Sequence, residues 1–197
     1  MKTLIAIPCM DMIHTQFAAS LLCMEKVGEI EIAFSRSSLI YDSRDKLAEK
    51  AIHEEFDRVL WLDSDMVFPP DTMKRMSARM DEGYEFISGL YFSRKIPIRP
   101  IIYNWLNREP IQEEYYLDYP KNSLFEIAGC GFGCVMTTVD LLLRLRGEYK
   151  FPFCPLPGIG EDLSFCIRAR ELGTKIYCDS SIKLGHVGQK EYTEGDI

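Results

Sequence analysis

Apolar positions along the first ninety residues switch repeatedly between two periods. Leu4-Ile5-Ala6-Ile7, closed by Pro8, is a continuous apolar run of the kind carried by a strand buried on both faces. Phe17, Ala18, Leu21, Leu22 and Val27 follow at helical spacing, with Gly28 as a stop. Glu29-Ile30-Glu31-Ile32 alternates and predicts a strand to Phe34. Asp42 or Ser43 supplies an N-cap for a helix with Leu47, Ala48, Ala51 and Ile52 on one face. Val59-Leu60-Trp61-Leu62 predicts a third strand, running straight into Asp63-Ser64-Asp65. Pro69-Pro70-Asp71 opens a helix whose inner stripe is Met73, Met76 and Met80, a core pattern, and Gly83 follows it. Phe86-Ile87-Ser88 is the next strand. This β-α-β-α-β-α-β order predicts a doubly wound α/β fold, a mixed, mostly parallel sheet flanked by helices.

The pattern is less regular beyond residue 90. Four prolines (Pro97, Pro100, Pro110, Pro120) and several aromatic residues, among them Tyr103, Trp105, Tyr115, Tyr116 and Tyr119, predict one strand near Ile101-Ile102 and then an excursion. The aromatic groups suit packing on the domain surface or stacking on a sugar. Phe125-Glu126-Ile127 leads to Gly129-Cys130-Gly131-Phe132-Gly133, and a strand resumes over Cys134 to Thr137. Thr138 caps a helix through Leu145, and a loop rich in proline and glycine precedes a helix from Glu161 to Leu172. A strand over Lys175 to Cys178 and then His186 complete the ordered pattern; Gln189 to Ile197 are polar and expected to be a flexible tail. With 197 residues and no repeat or linker, a single domain is expected.

Charge changes the picture by exclusion. The chain has 23 basic and 30 acidic residues, a net charge of −7. No basic face for phosphate backbones is expected, and so no nucleic-acid partner. Seven scattered cysteines form no C-x-x-C pair and suit a reducing, cytoplasmic setting. Cys130 and Cys134 lack a second Cys/His pair with which to make a zinc site. The run before Pro8 is too short for a signal-peptide core or a membrane span, so membrane contact is expected to be peripheral at most.

Three features carry chemistry. Asp63 and Asp65 stand at i and i+2 where a buried strand ends, the edge at which open α/β sheets bind ligands. Two carboxylates there repel one another unless a hard divalent cation intervenes, and such a cation also binds a diphosphate. A surface turn with two aspartates is the plainer alternative. Second, Gly158-Ile159-Gly160 precedes Glu161-Asp162 at a helix start. The helix dipole accounts for the acids there, but not for glycines that let a substrate approach closely. Third, His186 lies between Gly185 and Val187-Gly188, where the chain can return to the crevice, and neutral imidazole is a metal ligand.

Taken in order, these residues resemble the GT-A glycosyltransferases, especially family-2-like and small bacterial or phage-type members. The resemblance spans nearly the whole chain: Ile5-Ala6-Ile7-Pro8, Ser43-Arg44-Asp45-Lys46-Leu47-Ala48, Leu62-Asp63-Ser64-Asp65, Gly129 to Gly133, Gly160-Glu161-Asp162-Leu163-Ser164-Phe165-Cys166 and Gly185-His186. It implies a nucleotide-sugar-binding half over 1–90 and an acceptor and catalytic half over 91–188. It further implies Asp65 as the main ligand of Mn²⁺ or Mg²⁺, Asp63 on ribose or metal, and His186 completing the metal site. Asp162, with Glu161 beside it, takes the place of the base in inverting members. Pro8 and Arg44 fall in the nucleotide site, although Asp45 follows Arg44 where such enzymes usually have asparagine. The implied partners are a nucleoside-diphosphate sugar and a glycan, lipid-linked or protein hydroxyl acceptor, with self-association also open.

Two other classes compete. Asp63-Ser64-Asp65-Met66-Val67 fits the nucleophile motif of haloacid-dehalogenase-like phosphatases, but that motif normally follows the first strand. A GT-A domain that binds nucleotide sugar without catalysis is the other.

Overall fold

The computed structural model describes residues 1–188; the expected flexible tail lies outside them. The chain begins with β1 (Lys2–Cys9), α1 (Thr15–Cys23), β2 (Glu29–Arg36), α2 (Ile40–His53), β3 (Arg58–Leu62), β4 (Met66–Val67), α3 (Thr72–Asp81) and β5 (Phe86–Leu90). It continues with β6 (Ile102–Arg108), β7 (Ile111–Tyr115), β8 (Leu124–Ile127), β9 (Gly129–Cys130) and β10 (Cys134–Thr138). Helices α4 (Val139–Tyr149) and α5 (Glu161–Glu171) precede β11 (Ile176–Lys183) and β12 (Gly185–His186).

Seven strands form one sheet in the order β2-β1-β3-β10-β5-β11-β8. Strands β2, β1, β3, β5 and β11 run one way, while β10 and β8 run against them. The expected mixed, mostly parallel α/β architecture is therefore present. Strand β10, from the second half of the sequence, wedges between β3 and β5 of the first, so the halves interleave.

Both faces of the sheet are covered, which explains the unbroken apolar runs. Leu4, Ala6, Val59 and Trp61 point into one core with α2, α4 and α5. Ile5, Ile7, Leu60 and Leu62 point into the other, where Phe17 of α1 and Met73, Met76 and Met80 of α3 pack. The methionine stripe is core. Among the described residues no helix is long and apolar enough to cross a membrane. All seven cysteines are free thiols, four of them buried.

Helix α4 runs on to Tyr149 and β11 to Lys183, beyond the expected Leu145 and Cys178, and larger shifts occur elsewhere. Helix α1 stops at Cys23 rather than near Gly28, because the Glu25 N–H turns away to donate to the Pro70 carbonyl (2.8 Å). Helix α2 starts at Ile40, before both expected caps. The Asp42 and Ser43 N–H groups donate to the Leu39 carbonyl, leaving the Ser43 hydroxyl to reach back to the Ser35 carbonyl (3.2 Å). The excursion after residue 101 is an ordered hairpin, β6 and β7, which joins β9 in a three-stranded sheet. Its Tyr103 and Tyr115 rings pack at 4.8 Å, whereas Trp105 is exposed. The Thr138 cap is as expected: its hydroxyl accepts from the Leu141 N–H at 3.2 Å.

Candidate active site

Strands β1, β3 and β5 point the same way, so the residues that follow them meet at one edge of the sheet. A cleft of about 430 Å³ opens there, within the usual range for ligand sites, and Pro8, Asp63, Asp65, Arg94, Asp162 and His186 are among its lining residues. Helix α5 delivers Asp162 from its first turn. A short antiparallel pairing, Gly185 with Val67 and His186 with Met66, brings the end of the described chain back to Asp65. The Val187 N–H donates to the Asp65 carbonyl at 2.8 Å and locks that return.

Asp65 and His186 form one cluster. The His186 Nδ1 lies 2.9 Å from the Phe92 carbonyl, which only accepts, so Nδ1 carries the proton and Nε2 turns to Asp65 Oδ2, 3.4 Å away. Burial acts against charge on both groups, but their mutual attraction and the Arg94 guanidinium keep the Asp65 carboxyl below its ordinary pKa. The His186 imidazole is raised: burial pulls it down, and the bonds to Asp65 and Phe92 outweigh that pull. Asp65 Oδ1 is buried without a hydrogen-bond partner. Asp65 Oδ2 faces the imidazole nitrogen while Oδ1 of the same carboxylate lacks a partner, so oxygen and nitrogen donors of the kinds that bind divalent cations stand together.

Asp63 belongs to a second cluster. Arg44, 1 % exposed, donates from Nη2 to Asp63 Oδ1 (2.8 Å) and from Nη1 to Glu161 Oε1 (2.6 Å). Its guanidinium carbon lies 5.3 Å from the Phe132 ring centre. Arg44, expected at the nucleotide, thus stands behind the cleft wall and ties the D-x-D turn to the start of α5; neither it nor Glu161 lines the cleft. Among the described residues no three His, Cys, Asp or Glu side chains converge as a metal cage, and of the three expected ligands only Asp65 and His186 touch.

Three carboxylates (Asp63, Glu161, Asp162) surround the one guanidinium. Their attraction more than offsets burial and raises the Arg44 pKa. Asp162 bears the surplus charge: burial first, then Glu161 and Asp63, push its carboxyl up to about 6 against the pull of Arg44 and the Leu163 N–H. That value suits a proton acceptor near neutral pH.

The glycine segment before β10 explains how these groups come so close. A Cβ on Gly131 would collide with the Tyr91 hydroxyl and sit 3.3 Å from Asp162 Oδ2. The Gly133 N–H donates to that hydroxyl at 3.2 Å, and the Gly133 carbonyl accepts from the Asp63 N–H at 3.1 Å. Tyr91 and Arg94 were not legible in the sequence; their only signal is their place just after an apolar strand.

Asp45, one residue past Arg44, accepts from the Phe153 N–H (3.0 Å), and burial raises its pKa from 3.8 to about 6. The folded state holds this proton where the unfolded chain has lost it, so stability falls as pH climbs from about 4 to about 6. Asp45→Asn keeps the acceptor and removes the charge. Urea unfolding at pH 7.5 is expected to show a gain of about 1–2 kcal/mol, discounted for partial exposure, and a shallower decline between pH 4 and 6. A loss of stability at pH 7.5 would refute this account.

No protein-family model matches the sequence, and no curated protein does. Solved structures do match. The crystal structure of A197 from STIV superposes with a TM-score of 0.70 at 22% identity, over 96% of this chain and 87% of that one. The crystal structure of GalNAc-T7 with UDP, GalNAc and Mn²⁺ superposes with a TM-score of 0.68 at 11% identity, over 96% of this chain and 44% of that one. The chain thus spans less than half of the GalNAc-T7 chain. At these identities the likeness concerns the fold alone, and the fold of this chain is a GT-A-like α/β domain.

Proposed function

We propose that this chain is a metal-dependent glycosyltransferase that moves a sugar from a nucleoside-diphosphate sugar onto a hydroxyl acceptor with inversion. The observation that carries the reading is the convergence, at one sheet edge of a GT-A-like fold, of Asp65 and His186 with Asp162 held near pKa 6. The likeness to a structure solved with UDP, GalNAc and Mn²⁺ supports it. Asp65 and His186 would hold Mn²⁺ or Mg²⁺, which when bound supplies positive charge to a departing diphosphate.

The chain's own groups account for the rest. Pro8 and the end of β1 form a wall for the nucleotide. Asp162 takes the proton of the acceptor hydroxyl as its oxygen bonds to the anomeric carbon. The bond from that carbon to the diphosphate oxygen breaks, and the nucleoside diphosphate leaves with the electron pair. Arg44 touches neither substrate; it positions Asp63 and Glu161 and moderates the charge around Asp162.

The test is thermal shift against UDP-, GDP-, CDP- and dTDP-sugars, with and without Mn²⁺, on wild type and Asp65→Ala. One nucleotide is expected to raise the melting temperature only with Mn²⁺, by mass action, and the shift is expected to vanish in the variant. Silence across the panel, together with hydrolysis of a generic aryl phosphate, would replace the transferase reading with the phosphatase one.

A further inference from the structure

Arg94 forms an ion pair with Asp65 that the transferase reading does not use. Its Nη1 donates to Asp65 Oδ2 at 2.8 Å and to the Val187 carbonyl at 3.1 Å. The aliphatic part of the side chain lies against Gly188, where a Cβ would come within 3.1 Å of Arg94 Cδ. The same Asp65 oxygen faces His186 Nε2 at 3.4 Å. A divalent cation bridging Asp65 and His186 must therefore enter beside a guanidinium already bonded to the shared carboxylate. At contact distance the two positive charges repel, and Asp65 cannot give both its full attraction.

We infer that Arg94 is a tethered counter-ion that competes with the metal for Asp65 and so keeps metal affinity low in the free protein. This rests on the metal site of the proposed function. Arg94 is 47% exposed at its side chain and Asp65 19%, so the guanidinium can swing into solvent when displaced, whereas the carboxylate stays where it is. Loop 91–101, which carries Arg94, is thereby coupled to occupancy of the metal site.

Titration of the full chain with Mn²⁺ alone, followed by the EPR signal of free Mn²⁺, tests this. Arg94→Met is expected to bind Mn²⁺ roughly three- to tenfold more tightly than wild type. Arg94→Lys, which keeps a cation on the loop, is expected to fall nearer wild type. Arg99→Met removes a charge from the same loop, where Arg99 stacks on Tyr115 instead of meeting Asp65, and is expected to change little. Equal or weaker binding by Arg94→Met overturns the inference. So does an equal gain in Arg99→Met, since the effect would then be general charge. If neither wild type nor any variant binds Mn²⁺, the proposed metal site falls and this inference with it, an outcome distinct from equal binding by all.

Discussion

Arg44→Met is expected to destabilise the protein by about 3–5 kcal/mol, the cost of stranding buried charge by removing one partner. The guanidinium is almost wholly buried and holds Asp63 and Glu161 through separate nitrogens. Methionine fills the space above Phe132 and supplies no charge, so three carboxylates are left to face one another. For a chain of this length the melting temperature should fall by roughly 10 °C. The deficit has a sign with pH. Arg44 lowers the Asp162 pKa, so its loss moves that carboxyl further up, and protonation relieves the repulsion. Thermal melts at pH 7.5 and pH 5 should therefore show the larger deficit at the higher pH. Arg44→Lys should recover only part, because one ammonium cannot span both carboxylates as a planar fork does. A variant within 1 kcal/mol of wild type at pH 7.5 would show that Arg44 does not hold the acids together.

The second large effect is on turnover. Asp162→Asn is expected to lower transfer rate by about 10²–10⁴-fold, the usual worth of a positioned base. Donor binding in the thermal-shift assay should change little, because Asp162 is assigned to the acceptor. In wild type, activity should rise with pH through about 6 as Asp162 loses its proton, then level off. Stability moves the other way over the same range. The folded state keeps the Asp162 proton above 3.8, so ionisation costs stability between about pH 4 and 6. Opposed trends in rate and stability are the signature expected of a carboxyl held protonated by burial and needed as a base. Full activity in Asp162→Asn would remove the base assignment and leave transfer to proceed without Asp162.

Periodicity along the chain sets the elements that alternate and the edge at which chemistry gathers. Continuous apolar runs such as Leu4 to Ile7 and Val59 to Leu62 have only one comfortable environment, a sheet covered on both faces. The residue after such a run then stands at the sheet edge. That is why Asp63 and Asp65 were legible as candidates, whereas Glu161-Asp162 were legible from the glycines that precede a helix start. Local sequence did less well where a distant partner decides the outcome. Helix α1 ends where Pro70 captures the Glu25 N–H, and β10 enters the sheet between two strands of the first half.

Tertiary structure alone divided the acids between two cations. Arg44 lies 19 residues from Asp63 and 117 from Glu161, and Arg94 lies 29 from Asp65. No period or spacing encodes such pairs. The physical reason is that hydrophobic periodicity is a property of neighbours along the chain. Charge pairing depends on which side chains share a desolvated volume once the sheet has closed.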